Sequence, residues 1–384
     1  MTDGNGDGRD ADGGEGRGTT GDGDGDGDGG EGGGGDDGPA PDGARSVPVG
    51  VVDAFAAEPL AGVPVGVVPD AGGIGAGRRR ALAAELGGRG TAFVAPPDGA
   101  DADRRLRYVP PDGDRGRPPG GAARTGDEGG GERGTEVADG DGPGTGTASG
   151  ADGSAAPPIR ATVAAVARLL SDGRVDPGPL VLDTAAGAVE AEATDEGAVW
   201  VAAGDASVDP VDLDYDRAGT ALGVAPAALR DVGADMPAAV ASVTRPFLVV
   251  PVNFLERLSG ADPDRAALAD LADAHGVAGV YPVTFDALDA ALHARSFPAA
   301  PDAPEDPVTA AAAGAAGAYL HAVEAFDGDP PDELRVEQGH FVDRPGVVRV
   351  RLADDGVWVG GRTAAALDGR AALPAADDDD ILVA

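Results

Sequence analysis

Apolar residues in the first half of the chain fall into short clusters that predict strands around two helices. The segments VPVGVVDAF, GVPVGVV, TAFVAPP and RRLRYVPP are rich in Val and aromatic residues and are bounded by turn residues or proline, which is typical of strands. RRRALAAELGG contains helix formers and stops at two glycines. IRATVAAVARLLSDG has apolar positions three and four residues apart and predicts a second helix, and GPLVLDTAAGAVEAEATDEGAVWVAA predicts a meander of strands.

The second half repeats this alternation. AAVASVTRPFLVVPV and AGVYPVTFD predict strands, PDRAALADLADAHGV predicts a helix, and the run RVEQGHFVDRPGVVRVRLADDGVWVGGRTAAALDG predicts hairpins. An alanine-rich helix follows PEDPVT, with Asp306 predicted as its N-cap and Pro307 as its first helical residue. Since each half places strands around one prominent helix, we expect an α+β protein of two similar lobes, with a cleft between them as the default site.

Composition limits how much of the chain can form a core. Residues 1–45 and about 112–156 consist of Gly, Asp, Pro and small polar residues, so they bury too little apolar surface to fold, and we predict disorder in both. About 290 residues remain, enough for two lobes. The predicted division is a first lobe at 46–205, which contains the insertion, and a second lobe at 206–355. Strands at 356–384, which can return to the first lobe, precede a final acidic tail.

The charge pattern narrows the choice of partners and of compartment. The formal net charge is −38, with 67 acidic residues, and all 29 basic residues are Arg. Such a surface suits a cytoplasm at molar salt, where the Debye length is about 3 Å, although a merely acidic mesophilic protein is the alternative. Nucleic-acid binding is not expected without a basic face. The lack of a long apolar run and of a signal peptide predicts a cytoplasmic protein that does not enter a membrane.

Cysteine and histidine usage excludes several kinds of site. The chain has no Cys, so disulfides and thiolate nucleophiles are excluded. Its four histidines are dispersed and show no metal-ligand spacing, so neither a metal site nor a cofactor is predicted. They are His275, His293, His321 and His340.

Seven segments, taken in order, carry a resemblance to a known family. They are VDAFAAEPLAGVPVGVV, ELGGRGTAFVAPP, LRYVPP, IRATVAAVARLL, TRPFLVVPV, HARSFPAAPDAPEDPVTAAAAGAAGAYL and EQGHFVDRPGVVRVRLADDGVWVGGRTAAAL. Their order resembles the phenazine-biosynthesis PhzF-like isomerases, which share the diaminopimelate epimerase fold. The resemblance implies two pseudo-symmetric lobes, each a curled, mostly antiparallel sheet around a central helix. It also implies an active site between the lobes, where a glutamate of the first lobe moves a proton without metal or cofactor.

The family's first catalytic motif is not kept in this chain. Its Ser-Glu-Thr falls on Arg89-Gly90-Thr91, so the expected catalytic Glu is replaced by Gly90. Its Gly-His-Ala-Thr, at the start of the first central helix, falls on Ile159-Arg160-Ala161-Thr162. Arg160 thus replaces a substrate-orienting His, and it suits either a carboxylate ligand or a salt bridge to a nearby acid.

The second motif is partly kept. Asp-Pro-x-Thr-Gly-Ser falls on the six residues from Asp306 to Ala311, which retains Asp306 and Thr309 and loses the Ser hydroxyl. His293 belongs to the family-like HAR segment before this motif. The resemblance therefore implies Asp306 as the catalytic residue and Arg160, Thr309 and His293 as substrate-binding residues.

Two functional hypotheses remain open. The first is a cofactor-independent isomerase or epimerase that moves a proton on a small carboxylate-bearing metabolite, with an altered or weakened site. The second, favoured by the missing glutamate, is an inactive homologue that binds a ligand or a partner through the cleft. Lobe duplication and apolar strand faces also allow a homodimer.

Overall fold

The computed structural model describes residues 45–111 and 156–374, except 234, 288–289 and 327–329. The N-terminal acidic segment and the insertion predicted to be disordered lie outside the described residues, apart from Arg45 and Ala156, and so does the acidic C-terminal tail. The lobe boundaries predicted from the sequence stay a prediction.

The first lobe wraps strands around one buried helix. Its strands are β1 (Arg45–Ala54), β2 (Val63–Val68), β3 (Thr91–Ala95), β4 (Arg104–Val109), β5 (Gly178–Thr184), β6 (Gly187–Ala193) and β7 (Val199–Gly204), and its helices are α1 (Ala76–Leu86) and α2 (Ile159–Ser171). Helix α2 contacts β1, β2, β3, β6 and β7. Because the strands surround it, α2 is buried from Ile159 to Leu169 except at Arg160.

The second lobe repeats this plan around another helix. In chain order it contains β8 (Ser207–Pro210), α3 (Tyr215–Leu222), α4 (Pro226–Gly233), β9 (Ala239–Ser242), β10 (Pro246–Pro251), α5 (Leu255–Ser259), α6 (Arg265–His275), β11 (Gly279–Thr284), β12 (Leu292–Ala294), β13 (Phe297–Pro298), α7 (Ala310–Ala322), β14 (Leu334–Gln338), a 3-10 helix (His340–Val342), β15 (Gly346–Ala353) and β16 (Gly356–Gly361). Helix α7 contacts β8, β9, β10, β15 and β16. Its small residues let the strands approach closely, since a Cβ at Gly317 would come within 2.8 Å of Val350.

One continuous sheet runs through both lobes. β7 pairs antiparallel with β16, which joins the two halves. The last strand, β17 (Thr363–Leu373), pairs antiparallel with β1 from Arg45 opposite Leu373 to Ala54 opposite Thr363. Most pairs are antiparallel, while β2–β3, β4–β5, β10–β11 and β12–β14 are parallel. Helix α2 belongs to the first lobe and α7 to the second, and the two helices contact each other.

The start of α7 corrects one sequence-based prediction. Asp306 was predicted as the N-cap, but the helix begins at Ala310 and its N-cap is Thr309, with φ −116° and ψ 88°. The residues from Asp306 to Val308 are not helical, because the backbone N–H of Asp306 donates to the carbonyl of Ser296 at 3.0 Å. This bond fastens the segment to the residues between β12 and β13, so Asp306 lies three residues before the N-cap of the helix.

Candidate active site

Asp306 presents a fixed carboxylate at the mouth of α7. Its carbonyl oxygen accepts a 2.6 Å hydrogen bond from Gln338 Nε2, and its Oδ2 lies 3.0 Å from Thr309 Oγ1. The side chain is only 14% exposed. Its other oxygen, Oδ1, is buried and accepts no hydrogen bond from the residues that the structure describes. Asp306 therefore combines a rigid position with one oxygen that can still bind a proton or a donor.

Gln338 organises the backbone around this carboxylate. It is the last residue of β14 and is fully buried. Its Oε1 accepts hydrogen bonds from the Tyr281 hydroxyl and from the backbone N–H of Thr309, each at 3.1 Å. Burial raises the pKa of Tyr281 well above its usual range, and the charge of Asp306 acts in the same direction. Tyr281 therefore remains a neutral donor, and the three contacts fix the orientation of the amide.

Two hydroxyl groups form a short chain to the carboxylate. Thr309 Oγ1 lies 2.8 Å from Ser296 Oγ and 3.0 Å from Asp306 Oδ2. Each hydroxyl has a single proton, so both contacts are satisfied when Ser296 donates to Thr309 and Thr309 donates to Asp306. Such a chain strengthens the last hydrogen bond, because the two donors polarise one another.

Arg89 reaches this site from the first lobe. Its Nη1 lies 3.6 Å from Asp306 Oδ1, and its side chain is 32% exposed. The backbone of the loop is held on both sides: Arg89 N donates to the Pro64 carbonyl at 3.0 Å, and the Tyr108 hydroxyl donates to the Arg89 carbonyl at 2.7 Å. An ion pair between the two lobes thus lies at the unoccupied oxygen of Asp306.

The next residue, Gly90, cannot be replaced by a larger one without rearrangement. Its φ is +99°, and a Cβ at this position would overlap the Tyr108 hydroxyl. Tyr108 is itself almost completely buried. This position is thus without a carboxylate, and the phenol of Tyr108 occupies the space that a side chain would need. Glu85, the nearest acid before it in sequence, is exposed on α1.

The first turn of α7 adds a positive potential. Ala313 is the first residue whose N–H donates within the helix, to the Thr309 carbonyl at 3.0 Å. The N–H groups of Ala310, Ala311 and Ala312 precede it and have no acceptor in the helix itself. Together with the helix dipole they favour negative charge at this end, next to Asp306.

Two further buried carboxylates lie near this region, and both are fully engaged. Both oxygens of Glu305 accept from Arg295, at 3.0 and 2.6 Å. Asp53 accepts from Arg344 at 2.6 Å and from the Leu60 N–H at 2.7 Å. Of these three carboxylates, only that of Asp306 has an oxygen without a hydrogen bond, so it is the one with a lone pair available for chemistry.

The predicted site residues have different positions. Thr309 contacts Asp306 directly, whereas Arg160 lies half-buried in the first turn of α2, in the first lobe. His293 lies on the face of its strand opposite Ser296, because β11 pairs with this segment in one register from Thr284–His293 to Gly279–Pro298. Its ring contacts Glu337, His340 and Phe341. The structure thus brings Asp306 and Thr309 together, and it turns His293 away from them.

Sequence reasoning missed several residues of this site. They are Arg89, Tyr108, Tyr281, Ser296 and Gln338. Gln338 lies in the EQG segment that carried the resemblance, and Arg89 is adjacent to Gly90, so both positions were within reach of motif reasoning. The remaining three depend on strand register and on packing.

The described part of the chain contains neither a metal-binding cluster nor a helix that could span a membrane. No group of three or more His, Cys, Asp or Glu side chains there is arranged to hold a metal ion. No helix in the same residues is long and apolar enough to cross a membrane.

A family model described as phenazine biosynthesis-like protein (PhzC-PhzF) matches residues 52–113 and 160–375. The matched ranges include Arg89, Gly90, Asp306, Thr309 and Gln338, so the candidate site lies inside them. Comparison with curated proteins found no match.

Solved structures of similar fold are matched over nearly their whole length. A PhzF-family phenazine biosynthesis protein from Bacillus anthracis has a TM-score of 0.65 at 20% identity, covering 85% of this chain and 99% of that one. A predicted epimerase from Pseudomonas aeruginosa has a TM-score of 0.60 at 23% identity, with the same two coverages. A PhzF-family protein from Enterococcus faecalis has 0.61 at 18%, covering 86% and 100%. These likenesses confirm the predicted fold class.

Proposed function

Because this chain belongs to the phenazine biosynthesis-like (PhzC-PhzF) family, we propose that it is an isomerase or epimerase that moves a proton on a small carboxylate-bearing metabolite. One observation carries the proposal: Asp306 is held by Thr309 and Gln338 and keeps a buried Oδ1 that accepts no hydrogen bond from the described residues. A fixed carboxylate with a free lone pair is suited to general-base catalysis.

In the proposed reaction, Asp306 Oδ1 takes a proton from a carbon whose negative charge the substrate can delocalise. The C–H bond breaks, an O–H bond forms, and the electron pair enters the conjugated system of the substrate. The same proton then returns to another carbon, which reforms the carboxylate. The N–H groups at the start of α7 stabilise the negative charge that develops on the substrate.

A single base favours isomerisation over racemisation. Racemisation through two bases needs an acid on the other face of the substrate, and the position where the family has a glutamate is Gly90, with Tyr108 filling the space. One carboxylate can remove and return a proton on one face, which transposes it along a conjugated system. We therefore place isomerisation ahead of epimerisation, and Arg160 and Thr309 remain proposed contributors to substrate binding.

The test is solvent-deuterium incorporation at molar KCl into a panel of amino acids, hydroxy acids and cyclic dienes that bear a carboxylate. We expect incorporation into at least one member of the panel, with a loss of about 10²-fold or more in Asp306→Asn. The matched control is Asp302→Asn, because Asp302 is exposed four residues earlier and should leave the rate unchanged. Equal rates in wild type and Asp306→Asn would overturn the assignment of the base.

A second candidate function is a catalytically inactive, ligand-binding homologue. The observation that favours it is the phenol of Tyr108 in the place of the family's glutamate. It predicts no deuterium incorporation by the wild type, together with carboxylate-dependent increases in melting temperature that Arg160→Ala abolishes. Incorporation that depends on Asp306 would exclude this alternative.

The proposed reaction involves no cofactor, since proton transfer next to a carboxylate can proceed with the protein's own groups. The cytoplasmic location, the adaptation to high salt and the homodimer remain predictions. His293 has no role in the proposed reaction, because it faces away from Asp306.

A further inference from the structure

We propose that Arg89 forms a carboxylate-binding subsite, and that it pairs with Asp306 until the carboxylate of the substrate takes its place. This inference rests on the proposed function, since it assigns the group that recognises the substrate and frees the base. Arg89 stands where the family's motif has Ser, so neither the motif nor the fold assigns it this role.

The contact between the two charges is incomplete. Nη1 of Arg89 lies 3.6 Å from Asp306 Oδ1, which is within ion-pair range but beyond a good hydrogen bond. Oδ1 is correspondingly without a hydrogen-bond donor among the described residues. The guanidinium carries five N–H donors in a planar fork, which matches the two oxygens of a carboxylate. A ligand carboxylate can therefore offer Arg89 better geometry than Asp306 does.

Two other arginine–carboxylate pairs near this region differ from it. Arg344 donates to Asp53 at 2.6 Å and also to the carbonyls of Ala61 and Gly62, and Asp53 is 1% exposed. Arg295 and Glu305 form a bidentate pair with both side chains buried. These pairs fasten structural segments together. The Arg89 side chain is one-third exposed and holds no structural segment in this way, so it can exchange its partner.

The loop that carries Arg89 is built to present this one side chain. Its backbone is pinned to Pro64 on one side and to Tyr108 on the other. Gly90 follows in a left-handed conformation and has no room for a side chain. The backbone of Arg89 is therefore held between two fixed elements, and it places the guanidinium close to the carboxylate that it would release.

The ligand chemistry follows from the local charges. Arg89 and the N-terminal turn of α7 are two positive features around one carboxylate, in a protein whose overall charge is −38. They favour a small planar anion that can contact both, which means a carboxylate conjugated to a ring or a double bond. When such a ligand engages Arg89, Asp306 Oδ1 is released from its ion pair and is open to the substrate.

Calorimetric titration of the full-length protein with benzoate tests this subsite directly. We expect Arg89→Gln to weaken benzoate binding about tenfold or more, and Arg89→Lys, which keeps the charge but not the fork, to weaken it less. Arg80→Gln, on the exposed side of α1, is the control and should bind as the wild type does. Benzamide, the uncharged isostere, should not compete with benzoate.

The partner exchange makes a second, less obvious prediction. Because Asp306 competes for Arg89, Asp306→Asn should tighten benzoate binding about two- to fivefold, even though it removes the proposed base. In the Arg89→Gln background the same substitution should tighten binding less, because only the repulsion between the two carboxylates is then relieved. A purely structural role for the ion pair would instead weaken binding in both single variants.

Several results would overturn the subsite: no benzoate binding by the wild type, equal affinity in wild type and Arg89→Gln, or equal affinity for benzamide. Failure of the proposed function shows up in a different measurement. If benzoate binding depends on Arg89 but no panel member gains deuterium, the subsite stands and the isomerase does not. If incorporation depends on Asp306 but benzoate binding ignores Arg89, the reverse holds.

Discussion

Two neighbouring residues, Arg89 and Gly90, determine which chemical groups the first lobe places beside Asp306. The resemblance implies a serine and a glutamate at these positions, and this chain has Arg89 and Gly90 there. This loop therefore places a cation, and no carboxylate, beside Asp306. Such a site is suited to holding an anion while one carboxylate handles the proton.

Gly90→Ala tests how strictly this loop excludes a side chain. We expect a loss of about 2–4 kcal/mol in the free energy of unfolding, because φ is +99° and the new methyl group overlaps the Tyr108 hydroxyl. The matched control is Gly276→Ala, at the end of α6. It has φ +65° with nothing within 4 Å of a Cβ, and should cost about 1 kcal/mol.

Urea denaturation at constant KCl measures both variants. Repeating the substitution in a Tyr108→Leu background separates backbone strain from overlap, because the hydroxyl and the ring carbons that would lie 2.6 and 2.8 Å from the new Cβ are then absent. The Gly90→Ala loss should shrink toward that of the Gly276 control. An unchanged loss in that background would mean that Tyr108 does not limit this position.

At single residues, the sequence was informative only where the chemistry is local. Asp306 and Thr309 are three positions apart, so one short motif was enough to pair them. The position of Arg89 was within reach of motif reasoning, but its contact with Asp306 was not, because it joins residues more than two hundred positions apart and depends on how the lobes pack. His293 was predicted to bind substrate, and that prediction stays untested, but the alternation of strand faces turns it away from Ser296.

At the level of elements, the start of α7 shows that tertiary contacts can override a local sequence signal for a helix N-terminus. An Asp followed by Pro is a strong N-terminal signal, yet the helix begins at Ala310. The backbone of Asp306 is hydrogen-bonded to Ser296, and Gln338 binds both the Asp306 carbonyl and the Thr309 N–H. These contacts hold the segment in a non-helical conformation, and none of them is visible in the local sequence.

Strand β12 carries a histidine, His293, that is paired with Glu337 of β14 and should make stability depend on pH. Burial and the nearby His340 lower the pKa of His293, with Arg295 acting in the same direction and Glu337 against it. The native state therefore binds fewer protons than the unfolded chain just below the ordinary value of about 6.5. Stability from this group is present above about pH 6.5 and is lost as pH falls below it.

His293→Gln should therefore flatten the dependence of unfolding free energy on pH between about 5 and 7, whatever its effect on stability at neutral pH. The measurement is urea denaturation at several pH values and fixed ionic strength, and the slope is the relevant quantity. His321→Gln, at the exposed end of α7, is the control and should retain the wild-type slope. An unchanged slope in His293→Gln would show that other groups account for the acid sensitivity.

Over the whole molecule, segment content predicted two lobes but not their connections. Strand and helix patterns repeat in each half, and the buried helices α2 and α7 correspond to apolar or alanine-rich runs in the sequence. The order of strands could not be read in this way. The β7–β16 pair joins residues about 160 positions apart, and among the strands that the structure describes four parallel pairs interrupt an otherwise antiparallel sheet. Such pairings depend on tertiary packing, which periodicity does not encode.

Net charge is the property of the whole chain with the plainest physical consequence. At −38, the acidic residues repel one another in the compact state more than in the expanded one. Raising KCl from 0.1 to 1 M shortens the Debye length from about 10 to about 3 Å and weakens this repulsion. We expect the melting temperature to rise by roughly 10 °C or more over that range, as measured by circular dichroism.

The choice of salt separates screening from preferential exclusion. Screening depends on ionic strength, so KCl and tetramethylammonium chloride should give similar gains, most of them below about 0.5 M. Exclusion of ions from the protein surface would give a gain that continues to rise with concentration and is larger for sulfate at equal ionic strength. If the melting temperature does not rise with either chloride, self-repulsion does not limit stability. The acidic surface would then have to be explained by solubility rather than by adaptation to salt.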